Sequence, residues 1–230
     1  MKKLILLFFI FSITLGHTQK RKEIEITRFN SPPIIDGIID DLQWKDLKPA
    51  TGFERWMPNN GQSEREGYEN IVYMGYDDNN IYIAGKFNNP NTIPIEFSQR
   101  DDIWEVNAET FFVSINTYDD NINYQGFQIT SAGTLGDMYT SQEMSPSDWD
   151  FDTVFEGKVS INDESWQVEI KIPYSALRFP SKNVQDWGIN LVVKLLNLEK
   201  FTHGILLTKK ILSTLNQWGL PKVFMGSPLH

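Results

Sequence analysis

The stretch FEGKVSINDESWQVEIKIP (155–173) constrains the fold more than any other part of the chain. Its second half alternates Trp166, Val168, Ile170 and Ile172 with Gln167, Glu169 and Lys171. A period of two buries one face of a strand and leaves the other wet, so the segment reads as a hairpin on an antiparallel sheet. The same grammar recurs along the chain. NIVYMGYDDNNIYIAGKF (70–87) carries two β-rich runs around a turn at Asp77-Asp78-Asn79-Asn80. AETFFVSINTY (108–118) is apolar enough for a central strand, and YQGFQITSAGTLGDMYT (124–140) reads as two strands around Ala132-Gly133. After Pro173, YSALRF holds at most one helical turn capped by Ser175, and WGINLVVKLL (187–196) is the last convincing strand. No ten-residue amphipathic helix stands out beyond a weak candidate over 205–215. Short strands with turns every eight to twelve residues predict an all-β fold: an antiparallel β-sandwich, jelly-roll-like and immunoglobulin-like in outline.

The N-terminus is of another kind. Lys2-Lys3 precede an apolar run from Leu4 to Phe11, followed by Ser12, Thr14 and Gly16. The run is too short to span a bilayer, and the order of charge, apolar run and small residues is that of a secretory signal over 1–18. The expected product is exported rather than membrane-spanning, to the periplasm, cell surface or medium of a Gram-negative bacterium. Removing two lysines takes the formal charge from −9 to −11. That acidity argues against nucleic acid and anionic membranes as partners. The absence of cysteine excludes disulfides, thiol catalysis and Cys-ligated metals. About 210 exported residues suffice for one domain with an ordinary core. The strands place it over 19–196, leaving 197–230 as a tail. Aromatics make up 13% of the chain, with seven tryptophans. Large aromatics fill cores, and in exported proteins they also stack on sugar rings.

PPIIDGIIDDLQWKDL (32–47) does not read as a strand, because Pro-Pro and Asp-Gly are turn signals. With VYMGYDDNNIYIAGKF and WEVNAETFFVSINTYDD it resembles the pattern of carbohydrate-binding module family 9. QRDDIW, SDWDFDTVFEGKV, WQVEIKIPYSALRFP and WGIN then match, in order, a branch of that family. That branch is the N-terminal domain of exported bacterial proteins in which an outer-membrane β-barrel follows. The likeness covers about 24–196, and more loosely extends to Gly219. It implies a sandwich whose opening segment crosses one end of the sheets. Asp36-Gly37 would turn the chain, Ile34, Ile35, Ile38 and Ile39 anchor it, and Trp44 plug the core. Asp40 or Asp41 would cap a short helical turn.

In sugar-binding members two tryptophans clamp a terminal sugar, assisted by Arg, Glu and Asn or Gln. The resemblance puts the first clamp residue at Trp104, with Arg100, Asp102, Glu109 and Gln128 around its rim. The departures are specific. The family's arginine falls at Gln128 and its ligand glutamate near Phe112. The second tryptophan falls in FTHGILLTKK, which contains none.

Asp148, Asp150 and Asp152 share one side of an extended chain, a geometry Ca²⁺ accepts, although a solvated acidic edge reads as well. Trp149 and Phe151 would then point inward. No HExxH, GxSxG or P-loop occurs. The expectation is a non-catalytic module binding carbohydrate or a related glycan. The alternatives are an interaction domain of an envelope barrel system that has lost its sugar site, and a component of a glycoside-hydrolysing system. An exposed apolar patch near 204–212 would serve docking on a separate outer-membrane barrel.

Overall fold

The computed structural model describes residues 22–24, 26–57, 61–91, 93–103, 105–120, 122–141, 144–182, 185–196 and 202–211. Among these, the strands are β1 Lys22–Glu23, β2 Thr27–Arg28, β3 Glu54–Met57, β4 Gln62–Ser63 and β5 Asn70–Tyr76. They continue as β6 Asn80–Asn88, β7 Thr110–Asn116, β8 Tyr124–Thr130, β9 Leu135–Ser141 and β10 Met144–Asp148. The last four are β11 Glu156–Ile161, β12 Ser165–Pro173, β13 Gln185–Lys194 and β14 Thr202–Ile211. One helical turn, α1, spans Leu42–Lys45, and a 3₁₀ turn spans Tyr174–Ala176. No described helix is long and apolar enough to cross a membrane.

Two sheets form the expected antiparallel sandwich. The larger runs β10-β9-β8-β7-β13-β14-β3-β4, with β1 beside β14; the smaller runs β11-β12-β6-β5-β2. The predicted hairpins are present: β5 pairs β6, β8 pairs β9 and β11 pairs β12, all antiparallel. β7 lies centrally, between β8 and β13. Phe111, Val113, Ile115, Ile189 and Leu191 of the large sheet face Ile83, Phe87, Trp166, Val168 and Ile170 of the small sheet in one buried cluster. Each side chain so buried contributes roughly 1.5–3 kcal/mol.

The C-terminal region is strand where a tail was expected. The tail assigned from residue 197 contributes β14, ten residues antiparallel to β13, so the sandwich extends to residue 211 and the region is strand rather than helix. Its backbone groups complete an inner strand, a role that hydropathy alone does not signal. The apolar patch expected near 204–212 falls on side chains outside the described set, as does the secretory signal.

The opening segment does not cross the end of the sandwich; it lies over the outer face of the small sheet. Trp44, 2% exposed, packs edge-on to Phe29 at 5.4 Å, with Tyr82 and Ala84 beneath, in a cluster separate from the main core. Ile35 and Ile39 pack there, whereas Ile34 and Ile38 point to solvent. Asp41 occupies the N-cap of α1 without a side-chain cap; its Oδ2 accepts instead from the Ile34 N–H at 2.7 Å.

The anchor of this segment is Glu169, a residue the alternation assigns to the wet face. It is fully buried. Its Oε1 accepts from Trp44 Nε1 at 2.8 Å, and its Oε2 accepts from the Asp36 and Gly37 N–H groups, both at 3.0 Å. Gln167 Oε1, on the same face, accepts from the Ile39 N–H at 2.9 Å. Burial pushes the Glu169 carboxyl up, and these three donors oppose that shift. Gly37 has φ +89, and a Cβ there would lie 2.6 Å from the Val159 backbone, so no other residue fits the turn.

Candidate functional site

Among the described residues, no segment covers the outer face of the large sheet in this way. Alternation along β7, β8, β9 and β13 turns Phe112, Gln128, Met138 and Val192 outward, opposite the core-facing set. The register places Phe112 directly across from Gln128 on one side and from Val192 on the other. Gly126 lies between Phe112 and Met138, and a Cβ added there would approach both within 2.6 Å. The result is a groove of 510 Å³, within the roughly 300–1,000 Å³ range of small-ligand sites. Ile103 and Trp149 also line it, from the segments before β7 and after β10.

The groove is mostly apolar; among the described residues its polar lining is neutral hydroxyls and amides with one cation, Lys194, and no carboxylate. Two of its polar atoms stand out. Gln128 is 3% exposed and its Nε2 has no hydrogen-bond partner among the described residues. The buried Thr110 Oγ1 is likewise without one. An unpaired buried donor costs about 1–3 kcal/mol, so two on one floor form an unusual concentration of unmet hydrogen bonding.

The expected site residues fare differently. Trp104 lies outside the described residues. Gln128 sits on the groove floor, next to the Phe112 position that the resemblance paired with it. Arg100 does not point into the groove as a ligand contact: its Nη2 donates to Asp137 Oδ1 at 2.5 Å and to the Thr153 carbonyl at 2.8 Å. Its Nε lies 3.4 Å from Asp152 Oδ1, and the guanidinium covers the Phe155 ring at 5.3 Å. Asp137 is itself buried and also accepts from the Thr153 N–H at 2.6 Å. Burial raises its carboxyl, and Arg100 pulls it back. Arg100 thus ties the segment before β7 to the segment after β10, the two that bring Ile103 and Trp149 to the groove.

Glu109 is not a rim residue but fully buried. It sits in the inward register of β7, two residues before Phe111. Its Oε1 accepts from Asn89 Nδ2 and, at 3.3 Å, from the Leu196 N–H. Burial pushes it up to about 7, with those donors opposing. Asp102 is exposed, and its N–H donates to the Gln99 carbonyl at 3.2 Å.

Two of the aspartates of 148–152 engage protein partners. Asp148 Oδ1 caps the Asp150 N–H at 3.1 Å and Asp152 pairs with Arg100. Among the described residues no group of three or more His, Asp or Glu is placed to hold a metal ion. Phe151 packs half-buried against Tyr139 at 5.8 Å. Trp149, expected to point inward, instead lines the groove; an aromatic flanked by aspartates on an edge was the available signal.

No protein-family model matches the sequence, and a search of curated proteins finds no match. Solved structures do match. A carbohydrate-binding module of family 9 from Caldicellulosiruptor kristjanssonii in complex with glucose superposes with a TM-score of 0.60 at 13% identity, over 84% of this chain and 97% of that one. The same module with cellotriose gives 0.61 at 13%, over 87% and 98%. A candidate carbohydrate-binding protein from Bacteroides uniformis gives 0.61 at 14%, over 84% and 100%. The chain therefore has the sandwich fold of family 9 modules, as its motifs implied. At these identities the likeness is one of fold.

Proposed function

We propose that this protein is an exported, non-catalytic module that binds carbohydrate in the groove on the outer face of its large sheet. The observation that carries the reading is the groove floor. Gln128 Nε2 and Thr110 Oγ1, buried and unpaired, lie beside Phe112 and Trp149 in a fold whose solved relatives hold glucose and cellotriose. Sugar rings present an apolar side to aromatic surface and hydroxyls to fixed polar groups, and the groove supplies both. Glycoside hydrolysis by the usual route needs two carboxylates flanking the bond, and among the described residues none lines the groove, which favours binding over cleavage. The basic and apolar N-terminal stretch supports export.

The test is intrinsic fluorescence and calorimetric titration with mono- and oligosaccharides, on the wild-type chain and on Trp149→Ala. Saturable binding, weakened at least about tenfold in the variant, is expected from loss of a groove aromatic. A flat response across neutral, acidic and N-acetylated glycans would end the reading and make the sandwich a scaffold for a protein partner.

A further inference from the structure

The groove is built differently from a site made for hydroxyl-rich sugars, and the difference points to a ligand class. Hexose hydroxyls are commonly held by planar charged groups, a guanidinium donating in a fork and a carboxylate accepting. The resemblance puts those two groups at Gln128 and Phe112, so one is a neutral amide here and the other an apolar ring. Among the described residues no acid or arginine lines the groove. A single hydroxyl accepting from Gln128 Nε2 would have to reach Thr110 Oγ1 from the same oxygen to place its own O–H.

An amide ligand offers a complementary partner to each of the same two atoms. Its carbonyl is purely an acceptor, which is what Gln128 Nε2 lacks; its N–H is purely a donor, which the Thr110 hydroxyl can accept. Register puts the two residues diagonally across β7 and β8, because Phe112 faces Gln128 and Thr110 faces Thr130. Diagonal neighbours on one sheet face are roughly 7 Å apart, a span that an amide with one hydrogen bond on each side bridges. Phe112, Met138 and Val192 surround the pair and offer an apolar seat to a methyl group.

We infer that the groove selects sugars bearing an acetamido group, the N-acetylhexosamines, with the acetamido carbonyl on Gln128, its N–H on Thr110 and its methyl against Phe112, Met138 and Val192. The inference rests on the carbohydrate-binding reading and narrows it. It makes Gln128 and Thr110 determinants of specificity and leaves the remaining hydroxyls to the groove mouth.

The experiment compares N-acetylglucosamine, glucose and glucosamine by calorimetry on the full chain, with Gln128→Leu and Thr110→Val alongside. N-acetylglucosamine is expected to bind about tenfold or more tighter than glucose, the difference expected when one ligand pairs buried polar groups that the other leaves unpaired. Glucosamine, lacking carbonyl and methyl, groups with glucose. In each variant the ratio of the two affinities collapses towards one. Either variant alone reads this, so a failure of one to fold leaves the other as the test. Equal binding of N-acetylglucosamine and glucose, glucosamine grouping with the acetylated sugar, or a preference that survives in the folded variants would overturn the inference while carbohydrate binding stands. No binding of any sugar would overturn both.

Discussion

Both sheets have an outer face, and both bury a polar side chain on it. On the small sheet Glu169 is saturated by the chain's own opening segment, through the Trp44 indole and two backbone N–H groups. On the large sheet Gln128 is as well hidden, yet its Nε2 meets nothing among the described residues. Glu169 is satisfied by the fold itself and is structural, whereas Gln128 lines a groove open to something from outside. The same alternation thus produced a sealed face and an open one, and the presence of a covering segment made the difference.

The contrast can be broken most forcefully at Glu169. Glu169→Leu leaves the buried Trp44 indole and Gly37 N–H, and the half-buried Asp36 N–H, without an acceptor, and the loss expected in urea unfolding is about 4 kcal/mol. Hydrogen exchange across 36–47 should rise in parallel; an unchanged midpoint would mean that the opening segment is held by its apolar contacts alone.

A third buried group, Glu109, lies in the interior and neither face claims it. Its native carboxyl is held at about 7 against an ordinary 4.5, so the folded state keeps its proton where the unfolded chain has lost it. Stability should therefore fall as pH rises from about 4.5 to 7 and level off above. The drop is on the order of 3 kcal/mol at about 1.4 kcal/mol per pH unit. Glu109→Gln should flatten that window, and a slope that persists would assign it to other carboxyls.

Arg100 sharpens the comparison from the groove side. Arg100→Met strands the buried Asp137 carboxylate, and a cost of about 2 kcal/mol at pH 7 is expected, shrinking towards pH 4 as Asp137 protonates. Sugar affinity should weaken with it, because Ile103 and Trp149 lose their common tether. Thermal melts at the two pH values separate this from a direct contact role, which would weaken binding and leave the melts unmoved.

The smallest expected effect is the most diagnostic. Gln128→Leu replaces an amide with an unpaired nitrogen by an apolar group of similar size, so stability should hold or rise by up to about 1 kcal/mol. A large destabilisation would show that Gln128 is satisfied within the fold, which would put it in the same class as Glu169.

Much of the fold was legible because alternation and turn chemistry are local. Trp166, Val168, Ile170 and Ile172 declared the core face of β12, and Asp77 to Asn80 declared the turn between β5 and β6. β14 was not legible: an inner strand is recognised by the partners that saturate its backbone, and β13 and β3 come to it only in the folded chain. Of the site, the sequence supplied Gln128 and the neighbouring Phe112 position through the resemblance. Glu109 lies buried and Arg100 holds Asp137 and Asp152; their residue types suit a sugar rim as well as a structural tether.

By itself, then, the sequence determined which faces of which strands turn inward, since a two-residue period fixes that strand by strand. Only the tertiary structure decided what lies on the outward faces. Whether Glu169 meets Trp44, 125 residues away in sequence, or Gln128 meets none of the described residues depends on where a distant segment folds back, and local periodicity carries no record of that.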